Sequence, residues 1–228
     1  MIDELDQAVL LRSVFPSYGP AWEAAIDYGI DVSLLTDFLS LTPEQRARRL
    51  TGSLRWTRAS GPGGEESVTI DVEALLRRLV AAGVEFVVVG GVAARAHGSA
   101  MLTQDLDVVA PLTVENIRRL LTAVGDLNPR YALTLDKRRV TESAEYLAAF
   151  KNLYLLTDLG RLDVLGSVEP IGTYEVVAQH AEETTLLGPT VRVIGIEDLI
   201  TVKAHVGRPK DRHAELELRA IRELRAKR

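Results

Sequence analysis

The sequence predicts an α+β (α/β) protein, a mixed β-sheet flanked by helices with a small helical unit at the N-terminus. Three observations carry this. Ala59-Ser60-Gly61-Pro62-Gly63-Gly64-Glu65 has no periodic apolar pattern and reads as a seam. Before it the chain reads as short helices. After it, helical and strand patterns alternate. The expected organisation is a helical unit over 1–58, a linker over 59–68 and the main domain over 69–228.

In chain order, Thr42-Pro43-Glu44-Gln45 predicts a helix start: Thr42 caps, Pro43 fits the first turn and Gln45 completes a capping box. The aromatics of this unit, Phe15, Tyr18, Trp22, Tyr28 and Trp56, are expected to pack on one another or on the main domain rather than form a partner surface. Beyond the seam, Asp71 caps a helix running to about Ala82, with Val72, Leu75, Leu76, Leu79 and Val80 on its buried side and Gly83 ending it. Glu85 to Val89 reads as a buried strand, broken by Gly90-Gly91. A short helix over Val92 to His97, a strand over Leu106 to Ala110 and an amphipathic helix over Thr113 to Val124 follow. Strands near Leu153–Leu156 and Arg161–Leu165 flank Thr157-Asp158-Leu159-Gly160 and predict a hairpin. Val191 to Ile194 is a late strand, Glu197 to Val206 a helix, and Pro209 opens a terminal helix towards Arg228.

Composition narrows the chemistry. The 228 residues suffice for one α/β core and a small accessory unit. The absence of cysteine excludes disulfides, thiolate zinc sites and cysteine nucleophiles. A formal charge of -5 gives no global basic field for nucleic acid, although Lys203 to Arg228 is locally rich in Lys and Arg. Val84 to Val92 is too short and too Gly-containing for a membrane span. The start, Met1-Ile2-Asp3-Glu4, has neither a basic nor a secretory apolar segment, so the expected location is cytoplasmic, away from membranes. There is no Walker loop, no dinucleotide Gly-x-Gly-x-x-Gly and no zinc-finger spacing.

The segment Gly90-Gly91-Val92-Ala93-Ala94-Arg95-Ala96-His97-Gly98-Ser99-Ala100-Met101-Leu102-Thr103-Gln104-Asp105-Leu106-Asp107 carries the chemistry. Paired glycines between a buried strand and a helix let backbone N–H groups approach a phosphate closely. Asp105 and Asp107, two apart at a strand start, point to one face. Converging carboxylates repel, and a divalent cation relieves that cost. Oxygen ligands favour magnesium or manganese. In Arg161-Leu162-Asp163-Val164-Leu165 the alternation places Asp163 opposite Leu162 and Val164, and a neighbouring hairpin strand can bring it to the same cluster. Three carboxylates holding one or two metals suit in-line nucleotidyl transfer.

The run GGVAARAHGSAMLTQDLDVV resembles the DNA polymerase β-like nucleotidyltransferase superfamily, closest to the minimal bacterial AbiEii/MenT toxin type. The resemblance spans about Thr69 to Arg219 and extends to Lys203-Ala204-His205-Val206-Gly207-Arg208-Pro209-Lys210-Asp211. It implies that Gly90 and Gly91 form a phosphate loop, Asp105, Asp107 and Asp163 bind metal, and Lys203 and Asp211 form a C-terminal polar pair. It also implies a nucleotidyltransferase moving NMP from an NTP to a tRNA or protein acceptor, with an antitoxin as partner. Two positions depart from the pattern: Met101 stands where many relatives carry arginine, and Ala214 where they often have a second acid. The alternative is a nucleotidyltransferase fold retained as a nucleotide- or protein-binding module.

Other residues stand between roles. Ser99, a loop hydroxyl, and Arg95, in the short helix, are further candidate nucleotide-binding residues. His97, before Gly98, reads as a capping or packing histidine. Lys203, Arg208 and Lys210 read either as phosphate ligands or as a solvated helix end. Arg219 to Arg228 reads as an exposed amphipathic helix.

Overall fold

The protein's structure, a computed structural model, describes residues 4–51 and 70–227. Trp56 and the linker over 59–68 lie outside the described residues. The N-terminal helices are α1 (Glu4–Val14), α2 (Pro20–Asp27), α3 (Val32–Leu39) and α4 (Pro43–Thr51). Their starts follow local chemistry. Pro20 occupies the first turn of α2, and the Asp31 carboxylate caps α3 by accepting from Ser33 N at 3.0 Å. The capping box of α4 forms reciprocally: Thr42 N donates to Gln45 Oε1 at 2.9 Å and Gln45 N donates to Thr42 Oγ1 at 3.2 Å.

The second part runs α5 (Val72–Ala81), β1 (Val87–Val88), α6 (Gly90–His97), β2 (Asp105–Val109), α7 (Val114–Val124), β3 (Arg130–Tyr131), α8 (Ala144–Leu147), β4 (Asn152–Thr157) and β5 (Gly160–Leu165). A two-stranded ribbon, β6 (Ser167–Val168) with β7 (Gly172–Thr173), leads into α9 (Tyr174–Gln179). β8 (Glu182–Thr185), β9 (Thr190–Val193), α10 (Ile196–Val206) and α11 (Pro209–Ala226) complete the described chain. Seven strands form one sheet in the order β3-β4-β5-β2-β1-β9-β8. It is mixed, as expected: β2 runs parallel to β5 and β1 parallel to β9, while the remaining pairs are antiparallel. The β4–β5 hairpin closes on Thr157 and Gly160, at the turn the sequence predicts.

Two expectations need correction. The strand over Glu85–Val89 shrinks to Val87–Val88. Its first residue bonds elsewhere, because Glu85 N donates to Asn116 Oδ1 at 2.8 Å and Asn116 Nδ2 donates back to Glu85 O at 3.0 Å. A side chain has taken the place of a ladder partner. Val80 is 41% exposed rather than core-facing. Val72, Leu75, Leu76 and Leu79 already fill the buried stripe of α5, and Val80 falls beyond its edge.

The main core joins strand residues such as Val88, Leu106, Val108, Leu162 and Val164 to helix residues such as Leu75, Leu79 and Ile117. A second cluster joins Trp22, Ile26 and Leu35 of α2 and α3 to Ala220, Ile221 and Leu224 of α11. Trp22 is fully buried, with Tyr18 edge-on at 4.7 Å and Phe15 at 6.4 Å between ring centroids. Tyr28 is exposed and meets His213 edge-on at 5.9 Å. Glu223 adds a polar lock, its carboxylate accepting from Ala21 N at 3.1 Å and Trp22 N at 2.8 Å. No helix of the described residues is long and apolar enough to cross a membrane.

Candidate metal centre

The site grows from the parallel pairing of β2 with β5. The register sets Asp105 opposite Arg161 and Asp107 opposite Asp163. Leu106, Val108, Leu162 and Val164, the intervening residues, go into the core, so the alternation of both strands forces the acids onto one common face. On β4, Tyr154 pairs with Asp163 and adds an aromatic ring to that face. One carboxylate oxygen from each of Asp105, Asp107 and Asp163 lies within 4.8 Å of the others. An all-oxygen donor set with this convergence fits a hard divalent ion of the magnesium or manganese kind.

Each acid has its own support. Thr103 Oγ1 donates to Asp105 Oδ1 at 2.8 Å. The Asp107 carboxylate sits at the start of α6 and accepts from the Gly91 N–H. This is why both glycines are needed: Gly90 has φ +64°, and a Cβ there would fall 2.0 Å from Asp107 Oδ2, while a Cβ on Gly91 would fall 2.4 Å from Thr103 Oγ1. The glycine pair expected to cradle phosphate is thus packed against Asp107 and against Thr103, the support of Asp105, although Gly91 also reaches the cleft wall. Asp163, 5% exposed, receives Arg161 on both oxygens, Nε to Oδ1 at 2.7 Å and Nη2 to Oδ2 at 2.8 Å.

Burial pushes the Asp107 carboxyl up to about 7, reinforced by Asp105 and then Asp163, with Lys203 and the Gly91 N–H pulling the other way. A carboxylate so destabilised gains more than an ordinary one from a cation.

The C-terminal pair also comes together. α10 ends on Gly207 in the left-handed region at φ 64°, and Pro209 starts α11, so the chain turns sharply between Lys203 and Asp211. Lys203 Nζ donates to Asp211 Oδ1 at 2.9 Å and Arg208 Nε to Oδ2 at 2.5 Å. Burial alone pushes the Asp211 carboxyl up, but the hydrogen bonds from Arg208 and Lys203 outweigh it and hold the group below its ordinary value.

The acids open into a cleft of about 340 Å³ whose wall includes Arg161, Lys203, Arg208 and Lys210. A second cavity of about 290 Å³ adjoins it, sharing Asp107, Tyr154, Lys203, Arg208 and Asp211, with Val168, Leu199 and Val202 on its apolar side. Met101 and Ala214, the two departures from the resemblance, both line the first cleft, so the cations there come from Arg161, Arg208 and the lysines.

The structure does not bring Arg95 to the cleft. Its guanidinium lies 4.1 Å from the Phe38 ring centroid and donates to Ala100 O at 2.7 Å; burial lowers it to about 10. Ser99 lines the cleft, but its hydroxyl donates to the buried Glu217 carboxylate while accepting from Met101 N at 3.2 Å. His97 is a packing histidine, Nε2 meeting Ile194 O at 2.7 Å. Sequence reasoning missed Thr103, Tyr154 and Arg161. The signal for Thr103 and Arg161 was present, since each stands two residues before a site acid on an extended segment. Tyr154 required the hairpin register.

Neither the models of known protein families nor the curated proteins match this chain.

Proposed function

We propose that this chain is a metal-dependent nucleotidyltransferase that moves an NMP from an NTP to an acceptor. The observation that carries the reading is the convergence of Asp105, Asp107 and Asp163 at the floor of a cleft walled by cations. A bound magnesium or manganese ion would neutralise the triphosphate and make the acceptor hydroxyl a better nucleophile. The chain's own residues do the rest. Asp105 and Asp107 hold the ion, supported by Thr103 and Gly91, and Asp163 completes the set. Lys203 and Arg208, held at the cleft by the buried Asp211, present positive charge to phosphate, and Lys210 adds another cation on the wall. The acceptor is a tRNA or a protein hydroxyl and the natural partner an antitoxin protein, both on the strength of the sequence resemblance. NTP and RNA substrates put this work in the cytoplasm.

A second reading, a binding module on the same fold, is favoured by the Arg161 clamp on both oxygens of Asp163. One experiment separates the two: incubation with each labelled NTP, magnesium or manganese and total bacterial tRNA, beside an Asp105→Asn/Asp107→Asn double variant. Transfer of label to RNA or protein, lost in the double variant, is the expected result. Metal-dependent NTP binding by calorimetry without transfer would select a nucleotide-binding module. Neither transfer nor metal-dependent NTP binding would sink the enzyme reading and leave the fold as a protein-binding module.

A further inference from the structure

The cations of the cleft differ in what they would leave behind on moving. Lys203 and Arg208 share Asp211, whose side chain is 1% exposed. If both left, a buried carboxylate would remain without its charge partners, which is strongly unfavourable. Arg161 is placed differently. It pairs with Asp163, which is buried, but Asp163 also belongs to the cluster that fits a divalent ion. Of the pair, Arg161 is the open member, its side chain 38% exposed on the cleft wall against 7% for Asp163. The register puts its backbone opposite Asp105, and its guanidinium interacts electrostatically with Asp105 and Asp107 as well as with Asp163.

Nε and Nη2 of Arg161 engage both Asp163 oxygens in a parallel fork. A divalent ion on Asp163 competes for those oxygens and repels the guanidinium through a few ångströms of partly buried space. The same fork that matches a carboxylate matches two phosphate oxygens. The Tyr154 ring, 6.0 Å from the Arg161 Cζ, offers an aromatic surface along which the side chain can swing.

We propose that Arg161 is a displaceable stand-in cation, holding Asp163 in the ion-free protein and passing to the phosphate oxygens of the nucleotide when a divalent ion occupies the carboxylates. The inference rests on the nucleotidyltransferase reading of the cleft and adds to it a coupling between ion and nucleotide. Each ligand raises the affinity for the other, because the ion releases the guanidinium that the nucleotide uses. Arg161 acts here as a phosphate ligand in waiting, and its removal has opposite effects on the two ligands. A guanidinium that only braced the strand pair would weaken both alike.

The test measures binding, not turnover. Manganese is titrated into the wild type, Arg161→Gln, Arg161→Lys and Asp107→Asn, followed by electron paramagnetic resonance. The non-hydrolysable α,β-methylene analogues of the NTPs are then titrated by calorimetry with and without manganese, and melting curves check that each variant is folded. Arg161→Gln is expected to bind manganese several-fold more tightly and the analogue roughly tenfold more weakly in its presence, the loss of a bidentate charged contact. The gain in analogue affinity conferred by manganese is expected to shrink in Arg161→Gln and to return in part in Arg161→Lys, which keeps the charge without the fork. Weaker manganese binding in both Arg161 variants, with the manganese-dependent gain unchanged, would overturn the inference while leaving the metal site standing. That site is checked separately by the loss of manganese from Asp107→Asn. No manganese uptake by the wild type or either Arg161 variant would remove the metal reading and the coupling together.

Discussion

Asp107 is the residue on which the site's electrostatics turn. It lies between two other acids, its strongest pull towards protonation is burial, and its carboxyl is raised to about 7. The sign of the consequence follows. The unfolded chain ionises this carboxyl near its ordinary value of about 4, whereas the folded, ion-free protein holds the proton until about 7. Between those limits the folded state binds more protons than the unfolded one, so the group lowers stability as pH rises through that window, and the full penalty remains above it. Asp107→Asn keeps an oxygen for the Gly91 N–H and removes the charge. In chelator-treated protein the variant is expected to melt higher than the wild type at pH 8, with the gap closing towards pH 5; thermal melts at the two pH values check this. A wild type that melts higher than the variant at pH 8 without metal would mean that burial and the neighbouring acids do not destabilise the Asp107 carboxylate. At this scale the sequence was legible wherever strand alternation decides. Asp105 and Asp107 share a face because residues two apart on a strand must, and Asp163 joins it through the parallel β2–β5 register. Ser99 and Arg95 were not legible, because their partners, Glu217 and Phe38, come from elements distant in the chain.

Elements were legible where their ends are written in the sequence. The Thr42–Gln45 box, the Asp71 cap accepting from Ala74 N at 2.9 Å, and the Thr157–Gly160 turn are local chemistry with local signals. The elements that escaped are short and held by tertiary contacts: β3, β6, β7, α8, α9 and the edge strand β8, whose residues Glu182, Glu183 and Thr185 are exposed and lack an apolar alternation. β1 was overextended for a related reason, since no local pattern announces that Asn116 on α7 will take the backbone of Glu85. Asn116 is 3% exposed and makes three bonds, accepting from Glu85 N and donating to Glu85 O and to Pro111 O, the last at 3.0 Å. It ties the entry of β1 to the exit of β2, the strand bearing Asp105 and Asp107. Asn116→Leu strips three part-buried backbone groups of their partner. The expected loss is about 1 kcal/mol, since water can replace part of what the amide supplied, read as a lower urea midpoint with the slope unchanged. An unchanged midpoint would mean that water reaches the entry of β1 and replaces the amide.

For the whole molecule, the question is whether the N-terminal helices are an appendage or part of the fold. Their expected position was a separate unit ahead of a linker, and their packing bears on what that unit does. Trp22, Ile26 and Leu35 share a cluster with Ala220, Ile221 and Leu224, on the helix whose first turn carries Asp211. α4 lies against α6, where Arg46 Nη1 donates to Ala96 O at 2.5 Å and Ala47 enters the main core. The contact on α11 is also directional. Glu223 caps the N-terminus of α2 with both carboxylate oxygens, and Gly19, with φ +151°, has no room for a Cβ because one would fall 2.6 Å from the Glu223 Cδ. Such a cap is worth roughly 0.5–2 kcal/mol, and here its two partners are about two hundred residues apart in the chain. Two apolar clusters bridged by one continuous helix, α11, should unfold together, since melting either exposes an apolar face of that helix. In a Trp56→Phe background, Trp22 fluorescence reports the N-terminal helices while far-ultraviolet circular dichroism reports the whole chain. The expected urea transitions coincide, and Glu223→Ala moves both to lower urea by the same amount. A fluorescence transition that separates from the dichroism, or that alone responds to Glu223→Ala, would show the N-terminal helices to be detachable from the domain that carries Asp105, Asp107 and Asp163. The Asp211 end of α11 would then keep its place without them.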